Sequence, residues 1–235
     1  MAEHLAEMLD LMSTNAQTRS RGRRLIFWLG LVMVLAGAGI LGYVAWELYG
    51  TTILSKQRQQ DATSKIEKAW DSGQTEVTTD FGSATAVIEI PRFGKDYRVP
   101  VMEGISDRAL GAGFGHFSAS AEPGEVGNYA LAGHRITHGE PLRDMPELRV
   151  GDKVRVLTKE KTYVYELTSN GDGLVVPFTS IWVTDPLPDN PEEGGVEPKQ
   201  VDGQRLITLT TCSELFHTDD RMIAFGKLVS EEPTP

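Results

Sequence analysis

The 235-residue chain holds one cysteine, Cys212. A single thiol permits no intramolecular disulfide, so any part of the chain outside the cytoplasm must be held by its core. Positive charge is in short supply: 23 Lys and Arg face 33 Asp and Glu, a formal charge of −10. That balance argues against nucleic acid as the main partner, because phosphate binding draws on clustered cations. There is no internal repeat. At 40 % hydrophobic and 24 % charged residues, the composition is that of a folded protein and not of a disordered one.

One long apolar run is present. "LIFWLGLVMVLAGAGILGYVAW" covers residues 25–46 without a charge, long enough for a helix to span a hydrocarbon core of about 30 Å. Trp28, Tyr43 and Trp46 lie near its ends, where amphipathic rings favour the membrane interface. Arg19, Arg21, Arg23 and Arg24 precede it, and no Lys or Arg follows until Lys56. The positive-inside rule then puts residues 1–24 in the cytoplasm as a short tail and the rest outside. A cleaved signal peptide has a shorter apolar core and a small-x-small site at its end; here the small residues sit mid-span. No cysteine lies near the end of the run, as a lipoprotein needs. Residues 47–82 are polar, with a thin apolar pattern at Ile53, Leu54, Ile66 and Trp70, and read as an extracytoplasmic stalk or linker, helical or flexible.

From Ser83 the pattern changes to short apolar runs with period two. "ATAVIEIPRF" and "YRVPVMEGI" read as strands joined at "GKD", and "KVRVLTKEKTYVYELTS" as a hairpin turning near 159–161. "NYALAGH", "RLITLTTC" and "MIAFGKLV" read as further strands, and Pro-rich "DPLPDNPEEGGVEP" as a loop. Helix is expected only in short pieces such as "PLRDMPEL". The fold class is therefore all-β, a barrel or sandwich over residues 83–230, with 231–235 as a C-terminal tail.

A cysteine nucleophile needs a partner that carries protons, a cation or N–H-rich site for the oxyanion, and access to substrate. Cys212 ends a predicted strand, His134 ends another, and Arg221 starts the strand that returns nine positions after the cysteine. The three can converge at one rim. The plain alternatives are an inert buried thiol, a His that caps a turn, and an Arg paired with Asp219 or Asp220. His116, His138 and His217 are other imidazoles open to the same role.

"TLTTC" with an Arg nine residues on and "NYALAGH" upstream resembles the sortases, membrane-anchored cysteine transpeptidases of Gram-positive bacteria. The stretches "LAGHRITHGEPLRDM", "VVPFTSIWV" and "PLPDNP" look most like class E. The resemblance runs from about Ala84 to Val229 and implies a closed eight-stranded sortase-type β-barrel with short helices. It places Cys212 as nucleophile, His134 as general acid/base and Arg221 at the substrate carbonyl or oxyanion. Thr211, His138, Leu131 and Ala132 are carried with it as substrate contacts. It implies attack on the Thr–Gly bond of a secreted protein's sorting signal, of Leu-Ala-X-Thr-Gly or Leu-Pro-X-Thr-Gly type. A thioacyl enzyme then passes to an amine of cell-wall precursor or a pilin lysine. No cofactor and no metal is implied, and acidic "DNPEEGGVE" reads as a solvated loop. Some class E members carry Tyr in the loop after the His, where this chain has His138. No Asp-Pro-aromatic lid occurs in residues 47–90, so an open groove is expected. Rival readings are a cell-wall cysteine peptidase, although papain-like enzymes place Cys before His, and a tethered binding module with an inert thiol. With unperturbed values of about 8.5 and about 6.5, thiol and imidazole would both be mainly neutral at pH 7, and the coupled pair predicts a bell-shaped rate profile.

Overall fold

The computed structural model describes residues 2–46, 50–213 and 219–234. The chain divides into two compact units, residues 1–47 and residues 48–235. The first unit is one helix, α1 (Ala2–Ala45). Its stretch Arg23–Ala45 is long and apolar enough to cross a membrane, and none of it is buried by protein. Helix is the state in which the backbone of such a segment satisfies itself without water. The stretch before it is helical as well, from Ala2 onward.

The second unit opens with helix α2 (Thr51–Asp71). Strands β1 (Val77–Thr79), β2 (Gly82–Glu89) and β3 (Val99–Glu103) follow, then a short helix α3 (Asp107–Leu110) capped by the Ser106 hydroxyl. The remaining strands are β4 (Phe114–His116), β5 (Gly127–Ala132), β6 (Lys153–Leu157), β7 (Lys161–Leu167), β8 (Val175–Pro177), β9 (Arg205–Cys212) and β10 (Asp220–Pro233). Pairing runs β2-β3-β4-β5-β9-β10-β7-β6 and returns from β6 to β2 through Val87↔Leu157. Eight strands thus close a barrel, as the resemblance implied. Closure removes the sheet edges that would otherwise invite pairing with other chains. β1 and β8 hang on this ring, against β2 and β10. The expected hairpin is β6–β7, with Thr158 N donating to Lys161 O at 2.9 Å across its turn.

Ile88, Val101, Phe114, Tyr129, Leu131, Tyr165, Ile207 and Leu209 fill the barrel core. Alternation along β9 puts Ile207 and Leu209 inward, with Thr208 and Thr210 on the other face. Outside the barrel, Val176, Val183, Ile223 and Phe225 form a second cluster, against which Trp182 packs.

The segment expected to stand clear as a stalk does not do so over Thr51–Asp71. Ser55, Gln59, Ala62, Thr63, Ile66 and Ala69 are all buried. They recur at three- and four-residue spacing and form one face of α2. Ile66 packs with Ala84, Val87, Met102 and Leu157 on the outside of β2 and β3, with Trp70 against the same cluster. The face escaped notice because half of it is Ser, Gln and Thr.

Candidate active site

The run "RLITLTTC" builds β9, and its antiparallel pairing with β10 sets Arg221 directly opposite Cys212. Residues opposed in this way share a face of the sheet, with Cβ atoms typically about 4.5–5.5 Å apart. The pairing continues past the strand end, where Ser213 N donates to Asp220 O at 3.1 Å. The guanidinium carbon of Arg221 also lies 6.0 Å from the centroid of the Phe178 ring, which follows β8. Cys212 is half-buried, in keeping with a thiol that reaches both protein and solvent.

On its other side β9 runs parallel to β5, with Ala132 level with Thr210. Gly133 N donates to Thr210 O at 3.1 Å, carrying the ladder one residue beyond β5. Because the two strands run parallel, His134, two residues past the end of β5, lies at the same end of the barrel as Cys212, the last residue of β9. The peptide before His134 is fixed from below by Thr211, whose hydroxyl donates to Gly133 O at 2.8 Å. Cys212 at the end of β9, Arg221 near the start of β10 and His134 just past the end of β5 therefore stand at one rim of the barrel.

Burial, then repulsion from His138, lowers the pKa of His134 from 6.5 to about 4, against a smaller upward pull from Asp107. The two imidazoles stack, with ring centroids 4.7 Å apart and planes 27° from parallel. His134 is thus neutral at neutral pH, ready to accept a proton but not loaded with one.

The other expected contacts divide. His138 is in the site. Ala132 is partly exposed and on the same face of β5 as His134. Leu131 is corrected: it is fully buried in the barrel core, because strand alternation turns its side chain inward and away from the rim. Thr211 is only 3 % exposed, and its hydroxyl is spent on Gly133 rather than offered outward. His116 is buried elsewhere on β4, with its nitrogens facing Glu103 at 2.9 Å and Ser120 at 3.0 Å. His217 and most of the turn "SELFHTDD" fall at 214–218, outside the described residues.

Sequence reading missed Arg135. Its guanidinium donates to the carbonyl of Ser213, the residue after Cys212, and so ties the His segment to the Cys segment. The adjacency of Arg135 to His134 was visible; the partner was not, since it depends on the parallel β5–β9 pairing. Among the described residues, Glu103, His116 and Glu122 are grouped closely enough to hold a cation. None of the three belongs to the Cys212 rim. In the Pro-rich loop, Asn190 N donates to the exposed carboxylate of Glu197 at 2.7 Å.

Comparison with known proteins gives a consistent picture. Residues 88–229 match the sortase domain family model. The chain is 34 % identical over 216 residues to Sortase SrtE1 of Streptomyces coelicolor, covering 87 % of this chain but 57 % of that protein. It thus spans little more than half the length of that relative. It is 30 % identical over 214 residues to Sortase D of Bacillus subtilis, covering 85 % of this chain and 97 % of that protein. Among solved structures, Sortase E1 of Streptomyces coelicolor, with a tripeptide in its active site, aligns with a TM-score of 0.55. Its identity is 34 %, over 67 % of this chain and 94 % of that one.

Proposed function

The chain belongs to the sortase family, with class E sortases among its relatives, and on that footing we propose that it is a membrane-anchored cysteine transpeptidase. It cleaves a C-terminal sorting signal of Leu-Ala-X-Thr-Gly or Leu-Pro-X-Thr-Gly type between Thr and Gly. It joins the Thr carbonyl to an amine of cell-wall precursor or of a pilin lysine. Residues 25–46 hold it in the membrane, with the Arg-rich tail in the cytoplasm and the barrel outside.

The observation that carries this reading is the placement of three side chains: Arg221 opposite Cys212 on β10, and His134 two residues past the end of β5, the parallel neighbour of β9. The chemistry follows from the three side chains. The Cys212 sulfur attacks the Thr carbonyl carbon while its proton passes to His134, which is neutral and able to take it. Arg221 faces the negative charge that gathers on the carbonyl oxygen. The imidazolium then gives its proton to the departing Gly amine, leaving a thioester on Cys212. In the second half an acceptor amine attacks the thioester, its proton goes to His134, and Cys212 leaves as thiolate and regains that proton. The only chemical change to substrate is exchange of one amide for another, with no redox step.

The test uses the full-length chain in detergent, peptides of both signal types and triglycine as the amine, read by mass spectrometry. A ligated product and an acyl adduct on Cys212 are expected, and neither with Cys212→Ala. His134→Ala and Arg221→Ala should each lose nearly all turnover with the fold intact. The acid limb of kcat/KM should fall near pH 4 and not near 6.5, since it is protonation of the His134–Cys212 pair that removes the competent form. No adduct with either peptide would sink the reading.

A further inference from the structure

The loop after His134 is pinned at its ends. Leu142 N donates to His134 O at 3.0 Å, and the Tyr97 hydroxyl donates to Pro141 O at 2.5 Å. Burial, with Asp144 nearby, pushes the Tyr97 phenol well up, so it stays a donor. The apex is another matter. His138 and Glu140 take positive φ, 55° and 53°, a conformation that non-glycine residues hold only when their surroundings impose it. Glu140 N closes the turn on Thr137 O at 3.1 Å. The His138 ring, bonded through Nδ1 to Thr137 Oγ1 at 2.9 Å, is thereby laid over His134.

What reaches this apex is α2. Gln59, on the buried face of that helix and 6 % exposed, donates from Nε2 to His138 O at 3.3 Å. The approach is close enough that a Cβ on Gly139, whose φ is +82°, would meet Gln59 Nε2 at 2.3 Å. Gly139 is therefore required twice, for its backbone angle and for the space. A buried amide on a face shared with Ala62 and Ile66 adds nothing to apolar packing and is costly unless bonded. Its acceptor is the carbonyl of the residue that covers His134.

We propose that Gln59 is a positioning residue for His134, acting through His138, so that the helix leading out of the membrane-spanning segment forms part of the active-site framework. This rests on the reading of His134 as the proton carrier. With the amide in place, the His138 ring shields His134 from water and limits its rotation. Without it, the left-handed apex relaxes, the stack opens and His134 becomes hydrated. Of the charged and titratable groups, Asp107 at the start of α3 acts on His134, while Arg135 and Glu140 belong to the same loop and Cys212 and Arg221 to the same rim of the barrel. Lys56 and Arg143 line the cleft that Gln59 shares with Gly139.

The test compares full-length wild type, Gln59→Met, His138→Ala and the double variant in detergent. Gln59→Met keeps length and removes the donor. It should lower kcat about tenfold with KM for the peptide little changed, as expected for a misplaced proton carrier. In the His138→Ala background the same change should cost nothing further, because both act through one contact. The His134 imidazole, followed by NMR, should titrate at higher pH in either single variant than in wild type. If Gln59→Met leaves both kcat and the His134 titration as in wild type, or if the two losses multiply in full, the inference is wrong. Gly139→Ala attacks the same contact from the loop side and gives the same reading if Gln59→Met fails to fold. Because the NMR titration needs no turnover, a wild type that ligates no peptide defeats the functional reading and leaves this one open to decision.

Discussion

Thr211→Val separates two roles for one hydroxyl. The family resemblance carried Thr211 as a substrate contact, whereas the structure buries it to 3 % exposure and aims its proton at Gly133 O, 2.8 Å away. The substitution keeps the shape and removes the donor. A buried hydrogen bond contributes about 1 kcal/mol net, and stranding its acceptor costs about 1–3 kcal/mol. The added methyl lies on the core side of β9 and returns about 0.8 kcal/mol. A net loss of about 1–2 kcal/mol should result, which for a unit of this size lowers Tm by about 2–8 °C. The activity effect comes from position. Gly133 O belongs to the peptide that leads into His134, so its release lets the imidazole drift from Cys212. A drift of this kind costs about 10–100-fold in kcat, with KM for the peptide hardly moved. Thr211→Ser should recover most of both. The assay is peptide ligation under saturating amine, beside a thermal melt. If KM rises while kcat and Tm hold, the hydroxyl meets substrate and the positioning argument fails.

Two further outcomes are expected. His134 has a folded pKa of about 4 against 6.5, so the unfolded chain takes up this proton more readily. The resulting loss of stability is absent above pH 6.5 and grows as pH falls to 4. It reaches at most about 3 kcal/mol, less whatever solvent screening removes at a partly exposed ring. Urea unfolding at pH 7 and pH 4.5 should show a smaller acid loss in His134→Gln than in wild type; equal losses would contradict the burial argument. Ile66→Ala empties a fully buried site between α2 and the outside of β2. It should destabilise the barrel unit by about 2–5 kcal/mol. An unchanged melt would mean that α2 is a spacer after all.

The barrel was legible because its strands alternate and their turns carry Gly and Pro, and because "TLTTC" with Arg221 fixes a cross-strand pair. The return of the chain from Cys212 to Arg221 needs no long-range information, since neighbouring antiparallel strands dictate it. Pairings between distant segments were not legible. β4 and β8 are three residues each, too short for periodicity to register. The parallel partnership of β5 and β9 joins segments more than seventy residues apart, and with it come the Arg135–Ser213 and Thr211–Gly133 bonds. Leu131 was misplaced for a related reason. The resemblance carried it as a contact together with Ala132, but alternation sends odd and even residues of a strand to opposite faces.

Helix was one of two readings for the segment that forms α2, but its buried face failed to announce itself, for a different reason. Apolar periodicity detects faces that bury hydrocarbon, and Ser55, Gln59 and Thr63 carry little of it. Such residues on a buried face point to backbone that needs partners, and here the partner of Gln59 is the apex of the His134 loop. A polar stretch between an anchor and a barrel therefore reads as a spacer by composition while its spacing, every third or fourth residue, already describes a face. The same spacing in Ala62, Ile66 and Ala69 was the signal to weigh. It places the apex of the His134 loop against the buried face of the helix that opens the barrel unit.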